Sequence, residues 1–209
     1  MNIRVLIADD HAVVREGLKR IIDDTPEMEV VGEACRGEEV LQQVRSEPVD
    51  VLVLDITMPG ITGIEILKLL RSERPNLPIL VLSMHPEDQY AIRVLKAGAA
   101  GYLTKESAPG QLVEAIKKVF AGGKYITPSV AEKIVVNMEG GLHKQPHEIL
   151  SDREYQVLCL IASGRTVKEI AEEISLSVKT ISTYRRRILQ KMGMKNNAEL
   201  IHYAVERGL

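Results

Sequence analysis

The sequence predicts two domains of different class. An α/β domain of five strand–helix units, (βα)5, covers residues 1–121, and an all-α domain of four helices covers 149–209, with 122–148 as a linker. Three observations predict this. Short apolar runs alternate with helically spaced segments through the first half, which builds a parallel sheet clad in helices. Helix-start signals then recur without any strand pattern between them. The charge also changes sign: residues 1–121 hold 14 basic and 19 acidic side chains, a net of −5, whereas 149–209 hold 10 and 7, a net of +3. An acidic half joined to a basic half suggests that only one of them meets a polyanion.

Five apolar runs read as strands: IRVLIAD (3–9), MEVVGEA (28–34), VDVLVLD (49–55), PILVLSM (78–84) and AGYLTK (100–105). Between them the apolar residues fall at helical spacing. Val14, Leu18, Ile21 and Ile22 share one face, as do Val40, Leu41 and Val44, then Ile64, Leu67, Leu69 and Leu70. Tyr90, Ile92, Val94 and Leu95 form a fourth face, and Leu112, Val113, Ile116 and Val119 a fifth. Each crossover is right-handed, so the helices cover both faces of one parallel sheet. Ligands on such sheets bind beyond the carboxyl ends of the strands.

From Gly122 to Glu148 turn signals dominate, in GGKYITPSV and EGGLHKQP, with a short helix over Ser129–Met138 between them. Beyond the linker, Ser151 with Glu154 and Thr166 with Glu169 fit the capping box, in which residues one and four satisfy each other's exposed amides. Asn196 with Glu199 is a weaker instance, and Ser177 is a simple cap before Val178. The predicted helices are 152–163, 167–174, 178–192 and 197–206, two of them stopped by Gly164 and Gly193.

With 209 residues, 45% hydrophobic and 27% charged, the composition is that of a soluble globular chain. No apolar run approaches the roughly 18 residues of a membrane span. MNIRVLIADD enters a strand pattern without a signal peptide, so the expected location is the cytoplasm, with no membrane partner. Cys35 and Cys159, far apart in apolar surroundings, read more readily as two buried thiols than as a disulfide. The five His are scattered, and no Cys/His cluster has metal-ligand spacing.

Asp9 and Asp10 close the first strand and Asp55 the third. In a parallel sheet those ends are neighbours, so three carboxylates converge. At roughly 4 Å and an effective dielectric near 20, each like-charge pair costs about 4 kcal/mol. A divalent metal would offset that, and hard oxygen ligands suit Mg2+. One Asp alone could equally be a cap for the following helix. Ser83 near the end of the fourth strand and Lys105 just past the fifth add a hydroxyl and an ammonium to the same rim. Either alone would be a turn or solvent residue. With three Asp they form a site for an anionic transferred group, where a carboxylate attacks and cations neutralise phosphoryl oxygens.

The motifs "IADDH", "VLDITMPGITG", "VLSMH" and "GYLTK", in that order, resemble those of the flavodoxin-like receiver domain of bacterial two-component response regulators. The resemblance covers all of residues 1–121. It implies that Asp55 accepts phosphate from a sensor histidine kinase. It implies that Asp10, Asp55 and the backbone carbonyl of Thr57 bind Mg2+, with Asp9 acting through water. Lys105 would hold the phosphoryl group and Ser83 would swing toward it, while Tyr102 matches the aromatic switch residue that reorients with Ser83. Two positions depart from the family: Glu106 follows Lys105 where Pro is frequent, often at a cis peptide, and Met84 follows Ser83 where a small residue is common. Catalysis is expected to extend only to the chain's own phosphorylation and dephosphorylation. Aspartyl-phosphate phosphatases usually carry a second Asp two residues past the first, and Thr57 stands there instead. A module that keeps the receiver shape without taking phosphate is a third reading, ranked last because every acceptor-site residue is present.

From Ile174 to Ala198 there are six basic residues and no acidic one. Two short helices joined by a turn, then a third rich in Arg, suggest a helix-turn-helix. With Ile181 at zero and 100° per residue, Ile188, Met192 and Val178 fall within about 60° of it, the buried side. Lys179, Ser182, Thr183, Arg186, Arg187 and Gln190 fan across the other side, and such side chains bond base edges and phosphates. A merely solvated basic face is the alternative, but ordinary exposed helices mix signs. "LSDREYQVLCLIASGRTVKEIAEEISLSVKTISTYRRRILQKMGMKNNAELIHYAVERGL" resembles the LuxR-type helix-turn-helix of NarL/FixJ-type regulators over its entire length. That likeness implies a third helix in the major groove and a fourth that pairs two-fold related copies. It directs Lys179 and Thr180 to the DNA backbone and Ser182, Thr183 and Arg186 to bases. Ser182, Tyr184 and Arg185 stand where many relatives carry Lys, His and Val, and Arg185, near 40° on the wheel, points toward phosphate. The implied partners are double-stranded DNA and, once phosphorylated, a second copy of the chain, with RNA polymerase as a further candidate. The opposite charges of the two halves predict that the unphosphorylated first half partly covers the third helix.

Overall fold

The computed structural model describes residues 2–85, 87–139 and 145–209, and the chain divides into two compact units, Met1–Ile134 and Val135–Leu209. In the first, β1 (Ile3–Ala8), β2 (Met28–Ala34), β3 (Val51–Asp55), β4 (Ile79–Ser83) and β5 (Gly101–Thr104) form one sheet in the order β2-β1-β3-β4-β5. All four pairings are parallel. Helices α1 (Ala12–Asp23), α2 (Gly37–Ser46), α3 (Gly63–Glu73), α4 (Glu87–Lys96) and α5 (Ala108–Phe120) make the crossovers. Strands β1, β3 and β4 are near-continuous apolar runs because helices cover both faces. Val5, Ile7, Val51, Val53, Leu80 and Leu82 turn to one face, where Leu18 and Ile22 of α1 and Leu112, Ile116 and Val119 of α5 pack on them. Leu6, Leu52 and Leu54 alternate to the other side and are equally buried. At about 2 kcal/mol for each large apolar side chain removed from water, the two layers hold the sheet's register firmly.

That register sets the rim. Ala8 lies beside Leu54, Asp55 beside Leu82, and Ser83 beside Thr104. Residues one step beyond these pairs therefore converge at the carboxyl edge, and the strand order reverses between β1 and β3, where ligands of open parallel sheets bind.

In α3 two apolar positions differ from the helical-wheel expectation. Leu69 is exposed, and Ile66 joins Ile64, Leu67 and Leu70 on the buried face of α3. At 100° per residue Leu69 falls off the arc those four define. Cys35 is only half-buried, its thiol donating to Glu39 Oε2 at 3.3 Å, while Cys159 is buried; the two are not joined in a disulfide.

After α5 the chain returns to the sheet: the Tyr125 amide donates to the Ala100 carbonyl at 2.9 Å, beside Gly101. Helix α6 (Pro128–Glu139) follows, and the division between the two units falls inside it.

The second unit opens with a 3-10 turn, Pro146–Ile149, then α7 (Asp152–Ala162), α8 (Val167–Glu173), α9 (Val178–Met192) and α10 (Asn197–Arg207). Ser151–Glu154 and Thr166–Glu169 form complete capping boxes, and Ser177 and Asn196 each accept one amide. Gly193 ends α9 with φ 68°, a left-handed conformation that disfavours any residue with a Cβ. Helix α7 is buried without a break from Glu154 to Ile161 because it is the centre of this unit, with Ile170, Ile181, Ile188, Leu200 and Ala204 buried on the helices about it. Val178, expected on the buried side of α9, is 50% exposed. Its angle suits the core, but it sits in the first turn, past the end of the packed layer.

Candidate functional site

The carboxyl edge of the sheet gathers Asp9, Asp10, His11 and Asp55, whose ligand atoms all lie within 4.8 Å of one another. Asp9 and Asp55 are each 1% exposed. Lys105 reaches both from the end of β5, its Nζ 2.7 Å from Asp9 Oδ2 and 2.7 Å from Asp55 Oδ2. The other Asp55 oxygen accepts the Thr57 amide at 3.0 Å. One ammonium cannot offset two buried carboxylates. Burial, against the pull of Lys105 and with Asp9 adding to it, pushes the Asp55 carboxyl up to about 6. Burial also works against the Lys105 charge, but Asp55 and Asp9 outweigh it and hold that pKa above its usual value.

The donor set fits a hard divalent cation. Asp9 Oδ2 and Asp10 Oδ1 are buried, and neither accepts a hydrogen bond of good geometry, although Lys105 and His11 stand at ion-pair distance. Carboxylate oxygens left in that state, close together and of like charge, suit Mg2+. None of the acids serves as a side-chain cap for α1. Its N-cap residue, His11, makes no cap bond, and Asp9 Oδ1 instead accepts the His11 amide at 2.8 Å.

The edge is held from outside by groups the motifs alone did not reveal. Arg15 of α1 donates to the Asp9 carbonyl at 2.8 Å and to Glu33 at 3.4 Å. His11 Nδ1 lies 2.8 Å from Asp10 Oδ1. A Cβ on Gly63 would come within 2.4 Å of the Asp55 carbonyl, so only glycine lets α3 start this close to Asp55. Thr62 and Glu65 cap that helix with a complete box. Its T-x-x-E spacing stands in the sequence as plainly as the two boxes of the second half.

Ser83 and Tyr102 are both buried beside this edge. The Ser83 hydroxyl accepts the His85 amide at 3.0 Å, and the Tyr102 hydroxyl donates to the His85 carbonyl at 2.7 Å. Ser83 and Tyr102 therefore grip one loop, that between β4 and α4. Burial pushes the Tyr102 phenol well above its ordinary pKa, so it stays a donor. Met84 is exposed, and no peptide bond among the described residues is cis, that of Glu106 included.

In the second unit, α9 presents Lys179, Ser182, Arg186, Arg187 and Gln190 to solvent, with Thr180 and Thr183 half-buried. Thr180 takes part in the cap, 2.7 Å from Ser177 Oγ, and Thr183 donates to the Lys179 carbonyl at 2.9 Å. Arg185 is half-buried, and its Nε donates to Asn197 Oδ1 at 2.6 Å, tying α9 to the first residue of α10. Glu154, 3% exposed, accepts the Ser151 amide at 2.8 Å and the Lys191 ammonium at 2.6 Å, tying α9 to the start of α7.

A (βα)5 sheet with an acid cluster, a hydroxyl and a lysine at its carboxyl edge, joined to a four-helix unit with one basic helix, defines a two-component response regulator. Family profiles match on both parts: the response regulator receiver domain over residues 5–117, and the luxR family of bacterial regulatory proteins over 148–204. The chain belongs to the bacterial response regulators of NarL/FixJ type, with a receiver and a LuxR-type DNA-binding domain that regulates transcription. It is 38% identical over 208 residues to response regulator UvrY of Escherichia coli (strain K12), covering 99% of this chain and 95% of that protein. Response regulator GacA of Pseudomonas aeruginosa is also 38% identical over 208 residues, covering 99% of this chain and 97% of that one. Among solved structures, RcsB of Salmonella typhimurium, described for its conformational dynamism in DNA interaction, aligns with a TM-score of 0.70 at 29% identity over 99% of this chain and 98% of its own. A structure of two RcsB dimers bound to two parallel DNAs aligns with a TM-score of 0.61 at 30% identity, covering 98% of each chain.

Proposed function

We propose that Asp55 takes a phosphoryl group from the phosphohistidine of a sensor kinase, and that this state controls dimerisation and DNA binding through α9. The observation that carries the reading is Asp55 itself, buried at the end of β3 with Lys105 at 2.7 Å and the Thr57 amide at 3.0 Å. An Asp55 oxygen attacks phosphorus, the O–P bond forms as the N–P bond to the kinase imidazole breaks, and that imidazole takes up a proton. The Thr57 amide and Lys105 orient the attacking carboxylate. Lys105 then follows the charge, leaving the carboxylate for a phosphoryl oxygen while Asp9 keeps its other side anchored. Mg2+ held by Asp10, Asp55 and the Thr57 carbonyl, with Asp9 through water, supplies further charge neutralisation when bound. Ser83 exchanges its loop contact for the phosphoryl group, and Tyr102 moves with the loop they share. Turnover stops at this chain's own phosphorylation and hydrolysis.

Residues 1–121 act as the receiver, 122–148 as the connection and 149–209 as the DNA-binding domain, in the cytoplasm. In the last, Lys179 and Thr180 contact the DNA backbone, and Ser182, Thr183 and Arg186 read bases. Arg187 and Gln190 flank them, and Arg185 reaches phosphate only if it leaves Asn197. Phosphorylation brings two copies onto half-sites about one helical turn apart, and RNA polymerase is the onward partner. The structure of two RcsB dimers bound to two parallel DNAs supports this arrangement.

The test is the intact mass after incubation with acetyl phosphate and Mg2+. One added phosphoryl group on the wild type and none on Asp55→Ala is the expected result. Equal addition to both would move the acceptor elsewhere.

A further inference from the structure

Between the switch loop and the segment that leads out of the receiver, one polar contact spans 40 residues. Thr127 Oγ1 donates to Glu87 Oε2 at 2.6 Å. Each partner has a defined place. Glu87 is the first residue of α4, two positions past His85, whose amide and carbonyl are held by Ser83 and Tyr102. Thr127 immediately precedes α6, and its hydroxyl also faces the Val130 amide at 3.4 Å. The same hydroxyl thus donates to α4 and caps α6.

The segment before α6 is fixed at other points. The Tyr125 amide donates to the Ala100 carbonyl, Lys124 Nζ donates to the Ala99 carbonyl at 2.8 Å, and a Cβ on Gly101 would meet the Tyr125 carbonyl at 2.7 Å. Those attachments go to the chain entering β5, a packed part of the sheet. The Thr127 attachment goes instead to α4, beside the loop that Ser83 and Tyr102 grip. Helix α6 then runs on, continuous, through the division between the two units.

We propose that the Glu87–Thr127 hydrogen bond is a latch of the unphosphorylated chain, which holds the start of α6 to the switch loop and is released when Asp55 is phosphorylated. The inference rests on the phosphorylation reading above. When Ser83 turns to a phosphoryl group it gives up the His85 amide, the loop shifts, and Glu87 is carried from Thr127. Freed at its first turn, α6 no longer opposes the pairing of two copies on DNA. Glu87 and Thr127 are positioning residues in this scheme, since neither touches the phosphoryl group or DNA. A contact made only in the resting state biases only that state. Its loss should therefore raise resting DNA affinity and leave phosphorylated affinity unchanged.

The experiment uses full-length chain and a duplex selected from a random-sequence pool by the phosphorylated wild type, with affinity measured before and after acetyl phosphate. Glu87→Ala, which leaves the α6 cap in place, and Thr127→Val should each raise resting affinity about fivefold or more, shrinking the gain on phosphorylation by the same factor. Thr127→Ser, which keeps the donor, should behave as wild type, and the double variant should add little to either single one. Resting affinity unchanged in Glu87→Ala and Thr127→Val, with the wild-type gain intact, would overturn the latch alone. A wild type that takes phosphate without any gain would overturn the control of DNA binding, and the latch with it.

Discussion

Asp55 and Glu154 are both carboxylates almost wholly removed from water, at 1% and 3% exposure. Burial acts on each in the same direction, toward the neutral form. At Asp55 it wins, because one ammonium is shared with Asp9 and one amide completes the set; the pKa rises to about 6. At Glu154 burial is outweighed by Lys191, the Ser151 amide and the Ser151 hydroxyl, and the pKa falls below its usual value. The receiver thus keeps one ammonium between two buried carboxylates, and their charge is incompletely compensated. In the helical unit Glu154 Oε2 takes both the Lys191 ammonium, which fixes α9, and the Ser151 amide, which caps α7. The charge of the proposed acceptor is left partly uncompensated, and charge that holds structure is not.

Removing the cations should show the largest difference. Lys105→Ala leaves Asp9 and Asp55 buried without a counter-charge, and the urea transition of the receiver unit should lose about 3 kcal/mol or more. Millimolar Mg2+ should return part of that loss. Lys191→Ala removes a partner that is itself 41% exposed and leaves Glu154 its two Ser151 bonds. Its cost should be nearer 1 kcal/mol. Equal losses in the two variants would end the contrast.

The pH dependences should differ in sign. A carboxyl raised in the fold binds more protons folded than unfolded between its two pKa values. The Asp55 contribution therefore falls as pH rises from about 4 to about 6. Asp55→Asn should abolish that fall and, without metal at neutral pH, stabilise the receiver by about 2 kcal/mol, while ending phosphoryl uptake. Glu154, depressed in the fold, contributes stability that is present above its unfolded pKa and lost as pH falls through the folded one. Glu154→Gln should remove that acid-side loss and cost about 1–2 kcal/mol at neutral pH. Following each unit's urea midpoint across acid to neutral pH tests both signs.

The features legible in the sequence are those set by period and end position. Strand runs ending in Asp9 and Asp55, and a lysine one step past β5, fix the rim once the sheet is parallel. Capping boxes locate helix starts because donor and acceptor are three residues apart. Side-chain partners set by how one helix lies against another were not legible. The wheel gave Arg185 an angle near the core edge but could not supply Asn197, which arrives with the packing of α10. It gave Val178 a core angle but not the end of the layer it should enter. Arg15 and His11 close around the acid cluster through the rotation of α1, which no spacing in "DDHAVVR" states.

Arg185 is where that gap can be measured, with the smallest expected effect. If about five cations contact phosphates, the slope of log affinity on log salt should be about −4 to −5. Lys179→Ala removes one solvated cation from the face of α9 and should reduce the slope's magnitude by about 0.9. Arg185→Ala should leave the slope as it was, because its guanidinium is committed to Asn197 at 2.6 Å. Its loss should appear instead as about 1 kcal/mol in the helical unit's stability, and Asn197→Ala added to it should cost little more. A slope that falls for Arg185→Ala as it does for Lys179→Ala would mean that the side chain exchanges Asn197 for phosphate on binding. The same charge would then hold α10 in the free protein and DNA in the bound one, and the division between structural and functional charge would hold only for carboxylates.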